Sequence, residues 1–150
     1  MPTTSKAKKR RPRSSVTVQR AVGAAPATAL LRKYALAAAF SGARITVRVV
    51  GAAEGRFLNR RYRKRDYATN VLSFSYGRPH GDVVLCHPVI KQEAKAQRKS
   101  LAAHYAHLVV HGMLHLRGRD HARLAEAQRM QRAETRILSR LGFGDPYAVE

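Results

Sequence analysis

The stretch HLVVHGMLHLRGRDH, residues 107–121, gathers four of the chain's seven histidines into fifteen residues. Read as a helix, it sets His111 and His115 four positions apart on one face. At about 100° per residue, His104, His107, His111 and His115 fall within about 80° of one another on the helix wheel. Two imidazoles at i and i+4 can share a single tetrahedral ion. For His104 and His107 the expected role is packing or a hydrogen bond to a neighbouring group.

Gly118 stops this helix three residues past His115, since glycine tolerates the left-handed conformation of a C-terminal cap. The chain can then reverse and bring His121 to the same ion. The resulting pattern, H-x-x-x-H-x-x-G-x-x-H, has the ligand spacing of the metzincin proteases. Three neutral imidazoles leave a fourth coordination position open, the arrangement of a catalytic zinc. The protease signature also needs a glutamate after the first histidine as general base, and Gly112 stands there. A metalloprotease is therefore disfavoured, and the remaining equipment suits phosphodiester chemistry. Asp120 is expected to cap the next helix or to support a ligand by a hydrogen bond.

Outward from this stretch the periodicity is clear. SVTVQ, RITVRVV, VLSFSY and DVVLC read as strands, and GRPHG as the turn between the last two. ATALLRKYALAAAF has Leu30, Leu31, Tyr34 and Ala38 near one face, with Gly42 as its stop. EGRFLNRRY reads as a short helix and KRDYATN as a loop. The last third is helical: one helix from near Pro88, one from a Ser100 cap to Gly118, and one over about 122–141. Strands first and helices last predict an α+β domain, a small mixed sheet packed by helices. The histidine site then lies on a helix of the C-terminal half and the turn after it.

The chain has 150 residues, enough for one domain with its own core. Residues 1–15 are basic, poor in apolar side chains and expected to be a disordered arm, with residues 16–150 as the folded domain. No secretory signal is expected, because no apolar stretch follows the basic residues. No apolar run approaches the roughly 18 residues of a membrane span, and the expected compartment is the cytoplasm. The single cysteine, Cys86, excludes an intrachain disulfide and a Cys-based zinc site, and is expected to be buried. Net charge is +20, and the residues after position 20 still carry 22 basic against 9 acidic side chains. A folded part this basic points to a polyanionic partner, nucleic acid by default.

The basic segment RFLNRRYRKRDYATNVLSFSY, residues 56–76, shows how. Six of the ten residues from Arg56 to Arg65 are basic, with Phe57, Tyr62 and Tyr67 interleaved. Arginines bind phosphates and aromatic rings stack unpaired bases, the combination expected of a single-stranded RNA or DNA surface. Arg60, Arg61, Lys64 and Arg65 are the candidate RNA contacts. Phe57 and Leu58 are expected in the core.

On LNRRYRKRDYATNVLSFSY, GDVVLC, AHLVVHGMLHLRGRDH and the closing LGFGDPY, the chain resembles the YbeY endoribonucleases, bacterial rRNA maturation factors, over roughly residues 44–147. The resemblance implies a single α+β domain acting as a zinc-dependent, single-strand-specific endoribonuclease. It also implies a part in 16S rRNA 3′-end maturation and ribosome quality control, with rRNA and ribosomal particles as partners. The family's zinc ligands fall on His111, His115 and His121, one zinc per chain, and its functional arginine falls on Arg63. Asp66, Thr69 and Asn70 match the loop before the family's core strand. Ala68 stands where the family often has proline, and Arg119 where it often has tyrosine. The other reading is a ribosome-biogenesis RNA-binding factor in which zinc is structural and catalysis weak or absent.

Overall fold

Alternation in RITVRVV makes one face of a strand apolar and the other polar, and this strand becomes the spine of the sheet. The computed structural model describes residues 12–118 and 123–148. In it β2 (Arg44–Val50) buries Ile45, Val47 and Val49 on one face and turns Thr46 and Arg48 to the other. It pairs in parallel with β1 (Ser15–Arg20) and with β4 (His80–Cys86). β3 (Val71–Ser75) runs antiparallel to β4, so the sheet order is β1-β2-β4-β3. Parallel neighbours need a crossover connection, and α1 (Thr28–Ala38) supplies it between β1 and β2.

The main core lies between one sheet face and the helices α1, α4 (Leu101–Leu116) and α5 (Leu124–Arg140). On the other face a smaller cluster of Val50, Leu72, Val84 and Cys86 is covered by Leu58 of α2 (Ala52–Arg63) and by Val89 of α3 (His87–Ala96). Cys86 is buried there, as its apolar context implied. The α+β architecture and each expected strand and helix are present.

Three details differ from expectation. Leu30 remains 42% exposed, because the buried stripe of α1 is Leu31, Tyr34, Ala35 and Ala38 and Leu30 sits at its margin. Phe57 is 61% exposed, because α2 turns Gly55 and Asn59 inward and Phe57 lies on the far side. Only Leu58 of that pair packs on the core. Ser15, counted both as the end of the arm and as the start of the SVTVQ strand, belongs to the strand and opens β1 opposite Arg44. Just before it, the Ser14 hydroxyl donates to the Phe40 carbonyl at 2.7 Å, and the Gly42 N–H to the Pro12 carbonyl at 3.0 Å. The rest of the arm, residues 1–11, lies outside the described residues, as do 119–122.

α4 is the central helix. The Ser100 hydroxyl caps its start by accepting from the Ala103 N–H at 3.0 Å. Past its end Gly118 adopts φ +88° and its N–H returns to the His115 carbonyl at 3.0 Å. In between, Gly112 faces the sheet so closely that a Cβ there would lie 2.8 Å from Val83 Cγ1. The missing protease glutamate thus has a structural counterpart: position 112 faces β4, where any Cβ would force Val83 to shift. Overpacking costs about 1–3 kcal/mol, against about 1 kcal/mol of helix propensity gained by replacing glycine. Gly112→Ala is therefore expected to lower stability by about 1 kcal/mol, seen as a lower urea midpoint with unchanged slope.

Candidate metal centre and adjoining cleft

His111 and His115 stand one turn apart on α4. Their Nε2 atoms approach to 3.1 Å, with ring centroids 4.7 Å apart and planes at 72°. Two nitrogens on a tetrahedral ion at about 2.0–2.1 Å are separated by about 3.3 Å, so this pair fits zinc with little adjustment. Among the described residues no group of three His, Cys, Asp or Glu could hold a metal. The expected third ligand, His121, and its neighbour Asp120 lie outside the described residues.

Behind the pair sits a residue the sequence reading passed over. Glu134 of α5 is 1% exposed and accepts three hydrogen bonds. His111 Nδ1 donates to its Oε1 at 2.7 Å, His107 Nε2 to its Oε2 at 2.6 Å, and the Tyr147 hydroxyl to Oε2 at 2.5 Å. Burial pushes this carboxyl up, but the three donors outweigh it and hold it at about 2. A carboxylate acceptor at Nδ1 favours the tautomer whose lone pair lies on Nε2, the nitrogen turned toward His115. The same contact, with burial as the larger cause, pushes the Tyr147 hydroxyl up and keeps it a donor. One trace was readable: Glu134 lies in register with Met130, Ala133, Ile137 and Leu138, an acid on the buried stripe of a helix.

The remaining histidine of the face is held by a second carboxylate. His104 Nε2 donates to Glu93 Oε1 at 3.0 Å, and Asn70 Nδ2 donates to both oxygens of the same glutamate. His104 and His107 therefore take the hydrogen-bonding role expected of them. Asn70, through Glu93, is tied to α4 and fixes the end of the loop that precedes β3.

That loop and the end of α2 form the opposite wall of a cleft of about 740 Å³, lined by Arg63, Arg65, Thr69, Ser73, His111 and His115 among others. Arg63, the last residue of α2, donates from Nη2 to the Ser73 carbonyl at 3.2 Å. The structure brings Arg63 and Arg65 to the histidines. Arg60 and Arg61 do not line the cleft; Arg61 lies over the Tyr62 ring at 5.9 Å. Lys64 caps α2 with φ 56°. Arg56 forms a two-pronged ion pair with Asp66, at 2.8 and 3.0 Å, and Asn59 Nδ2 donates to the Tyr67 carbonyl at 2.7 Å. Asp66 and Asn59 thus shape the loop.

A family model described as Endoribonuclease YbeY matches residues 7–142. An endoribonuclease YbeY of Aromatoleum aromaticum is 56% identical over 144 residues, covering 91% of this chain and 94% of that protein. The one from Azoarcus sp. is 53% identical over 136 residues, covering 83% of this chain but 54% of that longer protein. Among solved structures, a Thermotoga maritima protein determined in solution superposes with a TM-score of 0.59 over 90% of this chain and all of its own. At 18% identity that likeness speaks for the fold alone. With a match across most of its length in both the family model and these relatives, the chain belongs to the endoribonuclease YbeY family.

Proposed function

We propose that this chain is a zinc-dependent, single-strand-specific endoribonuclease of the cytoplasm. Its task is rRNA processing on ribosomal particles, at the 16S rRNA 3′ end, and ribosome quality control. The observation that carries this is the convergence of His111 and His115 Nε2, 3.1 Å apart, in the same cleft as Arg63. His111, His115 and His121 would hold the ion. A bound zinc supplies Lewis-acid stabilisation of charge on a phosphoryl oxygen. Arg63 binds the scissile phosphate, since a guanidinium matches two of its oxygens and stabilises the charge that develops there. Arg65 adds a second cation on the same wall, and Thr69 and Ser73 contribute polar groups beside it. Glu134 keeps the proton on His111 Nδ1, so that Nε2 remains a ligand atom. Outside the cleft, Arg60, Arg61 and Lys64 extend the positive surface along the strand's path.

A second reading, a zinc-containing RNA-binding factor with weak or no catalysis, draws on one observation. Among the described residues lining the cleft there is no carboxylate to act as general base. Single-turnover cleavage of an rRNA precursor separates the two. The wild type is expected to cleave, and equal, negligible rates for wild type and His115→Ala with RNA binding intact would favour the binding factor.

Purified protein is expected to hold about one zinc per chain, and His115→Ala to lose it. Arg63→Glu is expected to keep the zinc while cleavage falls by at least about 100-fold. Elemental analysis alongside the cleavage assay checks both, and a metal-free wild type after gentle purification would end the catalytic reading. Glu134→Gln is expected to weaken zinc binding by about 10- to 100-fold in chelator competition, with the fold retained by circular dichroism.

A further inference from the structure

The sheet has a second face that α2 covers only in part. Across the strands, Thr17, Thr46, Asp82 and Phe74 form one row of this face, and Gln19, Arg48, Val84 and Leu72 the next. Leu58 of α2 packs on the cluster containing Val84 and Leu72. Beside it runs a groove of about 500 Å³ lined by Arg48, Leu58, Tyr62, Phe74, Tyr76 and Asp82 among others.

Two of its walls are aromatic rings that are exposed and yet held in place. Tyr62 is 58% exposed and packs edge-on against Phe74, with centroids 5.3 Å apart. Tyr76 is 65% exposed, and its hydroxyl donates to Asp82 Oδ2 at 2.8 Å. That hydrogen bond, with burial and the Asp82 charge, pushes the Tyr76 hydroxyl up to about 12, so it stays a donor and the ring stays tethered. An exposed ring normally swings freely; a tethered one presents its face without further loss of rotamer freedom on binding.

The groove adjoins the histidine cleft: Arg63, Ser73 and Ser75 line both. Its chemistry is different, however. Glu54 and Asp82 make it unsuited to a phosphate, and Glu54 is already matched by Arg48 through bonds of 2.7 Å each. Aromatic faces beside the Asp82 carboxylate suit a neutral, planar group bearing an amino donor, which describes a nucleobase.

We infer that this groove is a base-binding subsite: an unpaired base of the RNA strand stacks on Tyr62 and Tyr76 while its phosphate lies at Arg63. The inference rests on the endoribonuclease reading and adds a reason for single-strand preference. A base in a duplex is not free to leave its stack and enter the groove.

Zinc-loaded protein titrated with single-stranded RNA oligonucleotides, carrying 2-aminopurine at each position in turn, tests this. At one position the fluorescence should be quenched on binding by stacking. Tyr62→Leu and Tyr76→Leu should each lose that quenching and weaken oligonucleotide binding by about tenfold, with wild-type zinc content. Tyr62→Phe, which keeps the ring, should restore both. Unchanged affinity and quenching in the leucine variants would overturn the subsite while leaving the enzyme reading intact. So would variants that bind the oligonucleotide normally but fail to sediment with ribosomal particles, which would make the groove a protein-docking surface. A wild type that binds no single-stranded RNA at all would instead sink the endoribonuclease reading, and the subsite with it.

Discussion

Ser73 ties the two halves of the site together. Its side chain points to α4, where the hydroxyl donates to the Gly112 carbonyl at 3.0 Å. Its own carbonyl accepts from Arg63 Nη2 at 3.2 Å. One residue of the edge strand therefore sets the spacing between the helix that bears His111 and His115 and the cation at the end of α2. The arrangement depends on α4 lying hard against the sheet, which it does only because Gly112 has no Cβ to meet Val83. A helix one side chain further out would carry the histidines away from the arginine. The site's dimension is thus a packing dimension, set in the core and read out at the surface.

On each flank of α4 a carboxylate accepts from the histidines of the helix. A carboxylate as enclosed as Glu134 would be costly on its own, and three donors compensate it. Glu93 does the same for His104 and reaches out to Asn70. The four imidazoles of one helix face are thereby divided. His104 is paired with Glu93 and His107 with Glu134, and His111 and His115 face each other across a gap suited to an ion. Tyr147, beyond α5, belongs to this network because its hydroxyl closes the third position on Glu134. The short segment after α5 is held there by further bonds, among them Lys99 Nζ to the Pro146 carbonyl at 3.0 Å.

Much of this was legible before the fold. Period-two alternation marked the strands, and the Ser100 cap, Gly42 and Gly118 marked helix ends, because each is a local preference of a few residues. The spacing of His111 and His115 followed from helix geometry in the same way. Errors arose where burial is decided by a neighbour. Leu30 and Phe57 are apolar on helices whose inward faces are set by where α1 and α2 meet the sheet. Helix periodicity says that a face exists; it does not say which residues at its margin are covered.

The amino-acid sequence by itself determined the elements, the α+β order, the basic character and the pair of histidines one turn apart, because all of these follow from composition and short-range geometry. Only the tertiary structure decided that Glu134 orients His111, that Gly112 is empty for the sake of Val83, and that Arg63 and Arg65 reach the histidines while Arg60 and Arg61 do not. These contacts join residues far apart in the chain, 23 positions for His111 and Glu134 and 39 for Ser73 and Gly112. Their geometry is set by how helices and sheet pack, and no local preference encodes it.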